Sequence, residues 1–308
     1  MLHNFLIVLQ QVIVLFILIL IGYFFGKRRI FSAETIRGLD FLVLNLALPC
    51  TIVRGFQMEH TAEMMRNLLL CIGFAALLQA LFLFAAMPFA RKMPRDERAV
   101  YVLSSALTNC SFMGFPLQSA VLGPLGILYG SGYVFSMNLC TFTVGYYLFT
   151  GDRKSISPKQ ILTRPAIVGT VLGLALFVAG ISLPSTVSTV VDHIANLSVP
   201  LPMFIIGYHL SHVELKTVLR KHLHWRFSLL RLVVFPVAAI VLLYALGLRG
   251  TVLLSLAVSA SCPTATAVTI IASRFSDKGE LSAELGAMQT LLSLLTLPIM
   301  LAFASLFA

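Results

Sequence analysis

Polar and helix-breaking residues interrupt an otherwise apolar part of the chain at residues 108–116, where the sequence reads TNCSFMGFP. Asn109 and Ser111 carry polar atoms that lipid cannot satisfy. Gly114 loosens a helix, and Pro116 removes one backbone donor. Because an uninterrupted helix would bury these groups at a cost, the pattern predicts a functional break in a membrane helix.

A second interruption of the same kind, SASCPTATA, lies at residues 259–267. Its members that offer hydrogen bonds or break a helix are Ser261, Pro263, Thr264 and Thr266. At such a break one half-helix ends and another begins. The free N–H groups of the new half-helix carry about half a positive charge and bind anions. The pair of breaks therefore predicts an anion site near the middle of the membrane.

The donors at the two breaks are uncharged. Asn138 adds a further intramembrane amide that we expect to line the same cavity. We expect a carboxylate to be held there and released again, whereas a buried Arg would hold it too tightly. The sequence therefore predicts a site without fixed positive charge. The alternative is that the Ser and Thr residues bond only their own helix backbone.

Two acidic residues lie within the apolar runs, and such residues are functional candidates by default. Asp40 and Asp192 are therefore candidates for coupling transport to an ion or a proton. His193 follows Asp192 directly and makes a proton relay conceivable. The alternative for both acids is a capping or interfacial charge near a helix end.

The composition is that of a membrane protein. Of the 308 residues 58% are hydrophobic and only 11% are charged, against about 25% in soluble domains. The net charge of +10 does not predict nucleic-acid binding, because the charges fall in short loops between apolar runs. No H-x-x-x-H pattern or CxxC pair is present, so neither a metal nor another cofactor is expected.

About 20 apolar residues cross a bilayer as a helix, and the chain contains ten runs of about that length. We predict spans 1 to 10 at residues 4–25, 35–57, 67–90, 98–122, 125–149, 165–183, 186–210, 227–248, 250–273 and 281–306. The loops after spans 1, 3, 5, 7 and 9, counted with the adjoining span ends, hold 18 Lys and Arg residues. The loops after the even-numbered spans hold three. The positive-inside rule then places both termini on the non-cytoplasmic side of the cell (inner) membrane.

An internal repeat relates the two halves. Asn45–Pro49 reads NLALP in span 2, and Asn196–Pro200 reads NLSVP in span 7. Spans 2 and 4 thus match spans 7 and 9, five spans later. Because five is odd, the second copy enters the membrane from the opposite side, which is typical of transporters. We predict one five-helix repeat at 1–150, a short cytoplasmic linker at 151–164 and an inverted repeat at 165–308.

These features resemble the auxin efflux carrier family, which includes plant PIN carriers and bacterial organic-acid permeases. The resemblance covers essentially the whole chain. The stretches that carry it are IGYFFGKRRIFS (21–32), LNLALP (44–49), TNCSFMGFPL (108–117), SCPTATAVTIIASRF (261–275) and TLLSLLTLPIM (290–300).

The resemblance implies a scaffold of spans 1, 2, 6 and 7 and a mobile transport domain of spans 3–5 and 8–10. Substrate would bind where the broken helices 4 and 9 cross, with Asn109, Pro116 and Pro263 in the crossover roles and Asn138 facing the site. It also implies elevator-type alternating access and a homodimer. The linker is too short for the regulatory loop of the plant carriers, which favours small carboxylates such as malate or malonate over auxin.

Besides a channel, which would lack saturable flux and trans-stimulation, two other functions remain open at this point. One is a Na⁺- or H⁺-coupled carrier of a cation or a bile-acid-like solute on the same fold, favoured by Asp40 and Asp192. The other is a membrane-embedded enzyme, which the sequence does not favour because it lacks H-E-x-x-H, G-x-S-x-G and clustered acids.

Overall fold

The computed structural model of the protein describes residues 2–152 and 157–308, and within these ranges the only β-structure is an isolated bridge. Two basic residues of the predicted linker, Arg153 and Lys154, lie outside the described residues. The α-helices are α1 Leu2–Lys27, α2 Ala33–Leu42, α3 Leu48–Gly55, α4 Ala62–Ala90, α5 Arg95–Ala106, α6 Phe115–Leu122, α7 Pro124–Cys140, α8 Tyr146–Thr150, α9 Pro158–Leu162, α10 Pro165–Ala179, α11 Ser185–Ala195, α12 Pro200–His212, α13 Leu215–Arg220, α14 His222–Leu229, α15 Phe235–Ala245, α16 Gly250–Ser261, α17 Thr266–Phe275 and α18 Gly279–Ala304.

Several of these helices join through wider, π-helical turns into longer rods. The π-helical turns are Val43–Ala47, Cys110–Gly114, Thr141–Gly145 and Leu230–Val234. They widen spans 2, 4, 5 and 8, respectively. Such turns are frequent at functional sites because they turn side chains out of the regular helical register.

Six helical stretches are long and apolar enough to cross a membrane: Leu9–Lys27, Ala33–Gly55, Ala62–Ala90, Ser185–His212, His222–Ala245 and Gly279–Ala304. Shorter apolar helices are Cys110–Leu122, Pro165–Ala179, Gly250–Ser261 and Thr266–Phe275. The chain is therefore an all-helical, multi-pass membrane protein. The total of ten crossings and the inverted relation of the two halves stay predictions.

Helices α1 and α12 pack very closely because glycines face each other across their contact. A Cβ on Gly22 would collide with the backbone of Phe204, and a Cβ on Gly207 would collide with the backbone of Ile19. Small residues allow backbones to approach in this way, and dispersion contacts then hold membrane helices together.

Helices α3 and α10 form a second glycine-mediated contact. A Cβ on Gly169 would lie 2.9 Å from the Cα of Pro49, and one on Gly173 would lie 2.7 Å from the ring of Phe56. Spans 1 and 7 thus pair in the same manner as spans 6 and 2. An inverted repeat with an offset of five spans predicts this correspondence.

The remaining long helices pack around the two broken ones. Helix α4 packs on α5, α7 and α16, while α18 packs on α16 and α17. The largest cluster of buried hydrophobic side chains lies mainly among these helices. This packing positions the breaks in spans 4 and 9 deep inside the protein.

Candidate functional site

The interrupted segments of spans 4 and 9 meet at the centre of this packing. They run antiparallel beside each other and form an isolated bridge between Thr108 and Thr264. Two backbone hydrogen bonds close it, from Asn109 N–H to Pro263 C=O at 2.7 Å and from Ala265 N–H to Leu107 C=O at 3.1 Å. We call these paired segments, residues 107–109 and 262–265, the crossing.

A cavity of about 250 Å³, the crossing cavity, lies beside the crossing. It is lined by Asn109, Ser111 and Phe112, where the second half of span 4 begins, and by Ala265, Thr266 and Ala267, where the second half of span 9 begins. Asn138 also lines this cavity, and its side-chain amide N–H donates to the carbonyl of Val134 at 2.8 Å. Both positive helix ends therefore border one space.

A larger cavity of about 610 Å³, the second cavity, borders the same residues from another side. Asp40, Asn109 and Thr266 line both cavities. Asn109 is only 5% exposed, and its side-chain amide makes no hydrogen bond within the described part of the chain. An amide held without a protein partner at the border of two cavities is available for a ligand.

Two arginines that the sequence analysis assigned to loops, Arg164 and Arg274, also line the crossing cavity. The guanidinium of Arg164 lies 3.9 Å from the ring centre of Phe142 and donates to the Tyr146 hydroxyl at 3.1 Å. Its Nε is buried and makes no hydrogen bond to any described residue. The only sequence signal for this residue is its position directly before Pro165, which starts α10.

The expectation of a site without fixed positive charge is wrong. Besides the two cavity arginines, Arg231 is completely buried directly against the crossing. Its guanidinium donates to the carbonyl of Cys262 at 3.0 and 2.8 Å and to that of Ser105 at 3.2 Å. The apolar run that starts at residue 227 predicts Arg231 near a helix end, but the helix begins at His222.

The other predicted residues of the breaks lie around the crossing without lining the crossing cavity. Ser261 is buried and bonds its own helix, donating to the Ala257 carbonyl at 2.7 Å. Gly114 is buried in the π-helical turn that follows Asn109. Pro116, in the first turn of α6, lines a third cavity of about 290 Å³ together with Arg54.

Thr264 lines the second cavity, and its backbone N–H donates to the side-chain oxygen of Gln289 at 3.1 Å. The Thr264 hydroxyl and that of Thr108 are both buried and make no hydrogen bond to a described residue. Gln289, on α18, supports the crossing from a helix that the sequence analysis did not connect with it.

Asp192 and His193 lie away from both the crossing cavity and the second cavity. Asp192 is half-exposed and lies 4.0 Å from the Nε of Arg54, while His193 is exposed. Arg54 also donates to the side chain of Asn196 at 2.7 Å. Among the described residues, no three His, Cys, Asp or Glu side chains cluster closely enough to hold a metal ion.

Long apolar helices, a pair of breaks and a cavity beside them that Asn109, Asn138 and Arg164 help to line define a membrane transport protein of the kind that binds its solute at discontinuous helices. The profile of the family described as "Membrane transport protein" (Mem_trans) matches residues 7–160 and 154–301. The chain therefore belongs to this family, that of the auxin efflux carriers.

Related transporters occur in archaea and bacteria. The chain is 27% identical to an uncharacterized transporter of Methanocaldococcus jannaschii over 85% of this chain and 88% of that protein. It is 25% identical to an uncharacterized transporter of Methanothermobacter thermautotrophicus over 94% of this chain and 96% of that protein. It is also 25% identical to the uncharacterized transporter YfdV of Escherichia coli K12 over 84% of this chain and 85% of that protein.

Proposed function

We propose that the protein is a secondary active transporter that moves small organic-acid anions, carboxylates of the malate or malonate kind, across the cell membrane. The observation that carries this proposal is the crossing cavity. There the positive ends of two half-helices, the amide of Asn109 and the guanidinium of Arg164 border one space.

The charges around the cavity favour an anion. Arg164 and Arg274 line the crossing cavity, and Arg37 lines the second cavity. Among the described residues, Asp40 is the one acidic residue that lines either. Electrostatic attraction is stronger in this poorly solvated site than in water. A volume of about 250 Å³ suits a small solute rather than a sterol.

We further propose elevator-type movement. The scaffold would be formed by spans 1, 2, 6 and 7, held by the glycine contacts between α1 and α12 and between α3 and α10. Spans 3–5 and 8–10 would carry the crossing. Arg37, Arg164 and Arg274 belong to flanks of the predicted cytoplasmic loops, so both cavities open toward the cytoplasm in the proposed orientation, with both termini outside. A homodimer and the absence of enzymatic activity belong to the same proposal.

A ligand-binding experiment tests the proposed substrate class. We expect small dicarboxylates to raise the thermal unfolding temperature of the purified protein, because a ligand that binds only the folded state stabilises it. Asn109→Ala should lower the apparent affinity about tenfold, as expected for the loss of one buried hydrogen bond to a charged ligand.

Asn67→Ala is the matched control. Asn67 donates to the Tyr129 hydroxyl at 3.2 Å and lines neither the crossing cavity nor the second cavity. It should keep wild-type affinity. Stabilisation by organic cations, or by bile acids but not by small organic-acid anions, would contradict the proposed substrate class.

Asp40 favours a second function, a carrier of another solute coupled to Na⁺ or H⁺, because its carboxylate borders both cavities. In that case Asp40→Asn should abolish the ion dependence of transport while the protein remains folded. If ion dependence is the same in the wild type and in Asp40→Asn, Asp40 does not carry a coupling ion.

A further inference from the structure

Arg231 is the largest fully buried side chain among the described residues, and the proposed transport step gives it no role. It projects from the π-helical turn Leu230–Val234 in span 8. None of the described carboxylates lies within ion-pair distance of its guanidinium. A charge buried without a carboxylate partner is costly unless dipoles compensate it.

The compensating dipoles are backbone carbonyls at the C-terminal ends of α5 and α16, the first halves of the broken spans 4 and 9. The guanidinium donates to the Ser105 carbonyl in the last turn of α5. It also donates to the carbonyls of Ala260 and Cys262, in the last turn and at the cap of α16. Without Arg231 these carbonyls would be buried acceptors that no helix continues to satisfy.

The charges balance to first order. Each helix C-terminus carries about half a negative charge, so two such ends together balance about one guanidinium. In cation-coupled carriers, carbonyls of unwound helices and half-helix C-termini are the groups that coordinate Na⁺. Here a side chain of the protein donates to the carbonyls at both half-helix C-termini.

We propose that the Arg231 guanidinium is a built-in cation that takes the place of a co-transported metal ion at the crossing, so that the crossing binds its solute without Na⁺ or K⁺. The guanidinium is carried by span 8, donates hydrogen bonds to spans 4 and 9 and lies 5.9 Å from the ring centre of Phe82 in span 3. All four spans belong to the proposed mobile domain. The guanidinium would therefore travel with the site and hold the two broken helices together in every state.

The first test needs no substrate, so it remains valid if the proposed organic-acid transport is wrong. Thermal unfolding of the purified protein is measured in chloride salts of Na⁺, K⁺ and N-methylglucamine at equal ionic strength. Wild-type protein should unfold at the same temperature in all three. A rise that is specific to Na⁺ or K⁺ and persists in Asp40→Asn would overturn the proposal.

The second test removes the built-in cation. Arg231→Ala should lower the unfolding temperature by roughly 5–10 °C, and millimolar guanidinium should restore at least half of that loss by occupying the vacated place. Arg231→Lys keeps the charge but has fewer hydrogen-bond donors, so its unfolding temperature should lie between those of the wild type and Arg231→Ala. The proposal would be contradicted if Arg231→Ala unfolds at a lower temperature that guanidinium does not restore, or if its unfolding temperature does not fall at all.

Arg249→Ala is the matched control for this rescue. Arg249 also donates to backbone carbonyls, that of Tyr244 in the last turn of α15 at 2.6 Å and that of Leu248 in the loop that follows at 2.7 Å, but it is exposed. Guanidinium should have no effect on this variant. If Arg231→Ala does not fold, Arg231→Lys must remain stable without Na⁺ or K⁺, and a requirement for either ion in that variant would equally overturn the proposal.

Discussion

Arg164 lines the crossing cavity although the sequence pattern predicts it in the linker at 151–164. It lies in a loop by composition, yet its guanidinium reaches the crossing cavity, where Tyr146 and Phe142 hold it and its Nε lacks a described partner. A guanidinium that lines a cavity is well suited to a carboxylate.

We therefore predict that Arg164→Gln raises the dissociation constant for a dicarboxylate about tenfold or more, because one charge-assisted hydrogen bond is lost. The measurement is ligand-induced thermal stabilisation. Arg66→Gln is the control, since Arg66 lines neither cavity at the crossing. Equal affinities of the two variants would remove Arg164 from the site.

At the scale of helices, the close contact between α1 and α12 depends on glycine. We predict that Gly22→Ala destabilises the protein, because the new methyl group would collide with the backbone of Phe204, which has no freedom to rotate away. The free energy of unfolding should fall by about 1–3 kcal/mol, as measured by the shift of the thermal midpoint.

Gly73→Ala is the control for this effect. A Cβ on Gly73, in α4, would meet no atom within 4 Å. Because Ala is favoured over Gly in a helix by about 1 kcal/mol, this variant should be as stable as the wild type or slightly more stable. Similar destabilisation by both substitutions would show that the glycine contact is not what matters.

The helices themselves were largely predictable from the sequence. Apolar runs of membrane-crossing length identified every long helix, and Asn109 with Pro116 and Ser261 with Pro263 marked the two breaks. The π-helical turns were not predictable, because hydropathy does not report how a helix is wound. Arg231 was misplaced because the charged residues of His222–Leu229 look like a loop but form the first turns of a helix.

The site was predictable to the extent that it is built from local motifs. Asn109, Ser111, Asn138 and Thr266 line the crossing cavity, and all four lie at or near a polar interruption of an apolar run. Arg164 and Gln289 come from distant parts of the chain and reach the crossing only through tertiary packing. One sequence without aligned relatives carries no signal for such contacts.

For the whole molecule, the proposal divides the protein into a fixed scaffold and a moving domain. A covalent link between them should stop transport. Gly55 in α3 and Ile127 in α7 belong to the two different parts, and a Cβ on Gly55 would lie 3.0 Å from the Cβ of Ile127, somewhat closer than the roughly 3.8 Å of a disulfide.

We predict that a disulfide between Gly55→Cys and Ile127→Cys, made without the five natural cysteines, abolishes transport reversibly. The control pair, Pro49→Cys with Gly169→Cys, has a similar spacing of 3.1 Å but lies within the proposed scaffold. Its oxidation should leave transport intact. Full activity of the oxidised Gly55–Ile127 pair would contradict movement between these helices.

Counterflow in proteoliposomes tests for a carboxylate carrier with its site at the crossing, because counterflow requires both a binding site and alternating access. Vesicles loaded with unlabelled malonate or malate should accumulate the labelled acid transiently, and Asn109→Ala should lose most of this uptake while Asn67→Ala retains it. No counterflow of any acid in a broad organic-anion panel, or full counterflow in Asn109→Ala, would contradict a carboxylate site at the crossing.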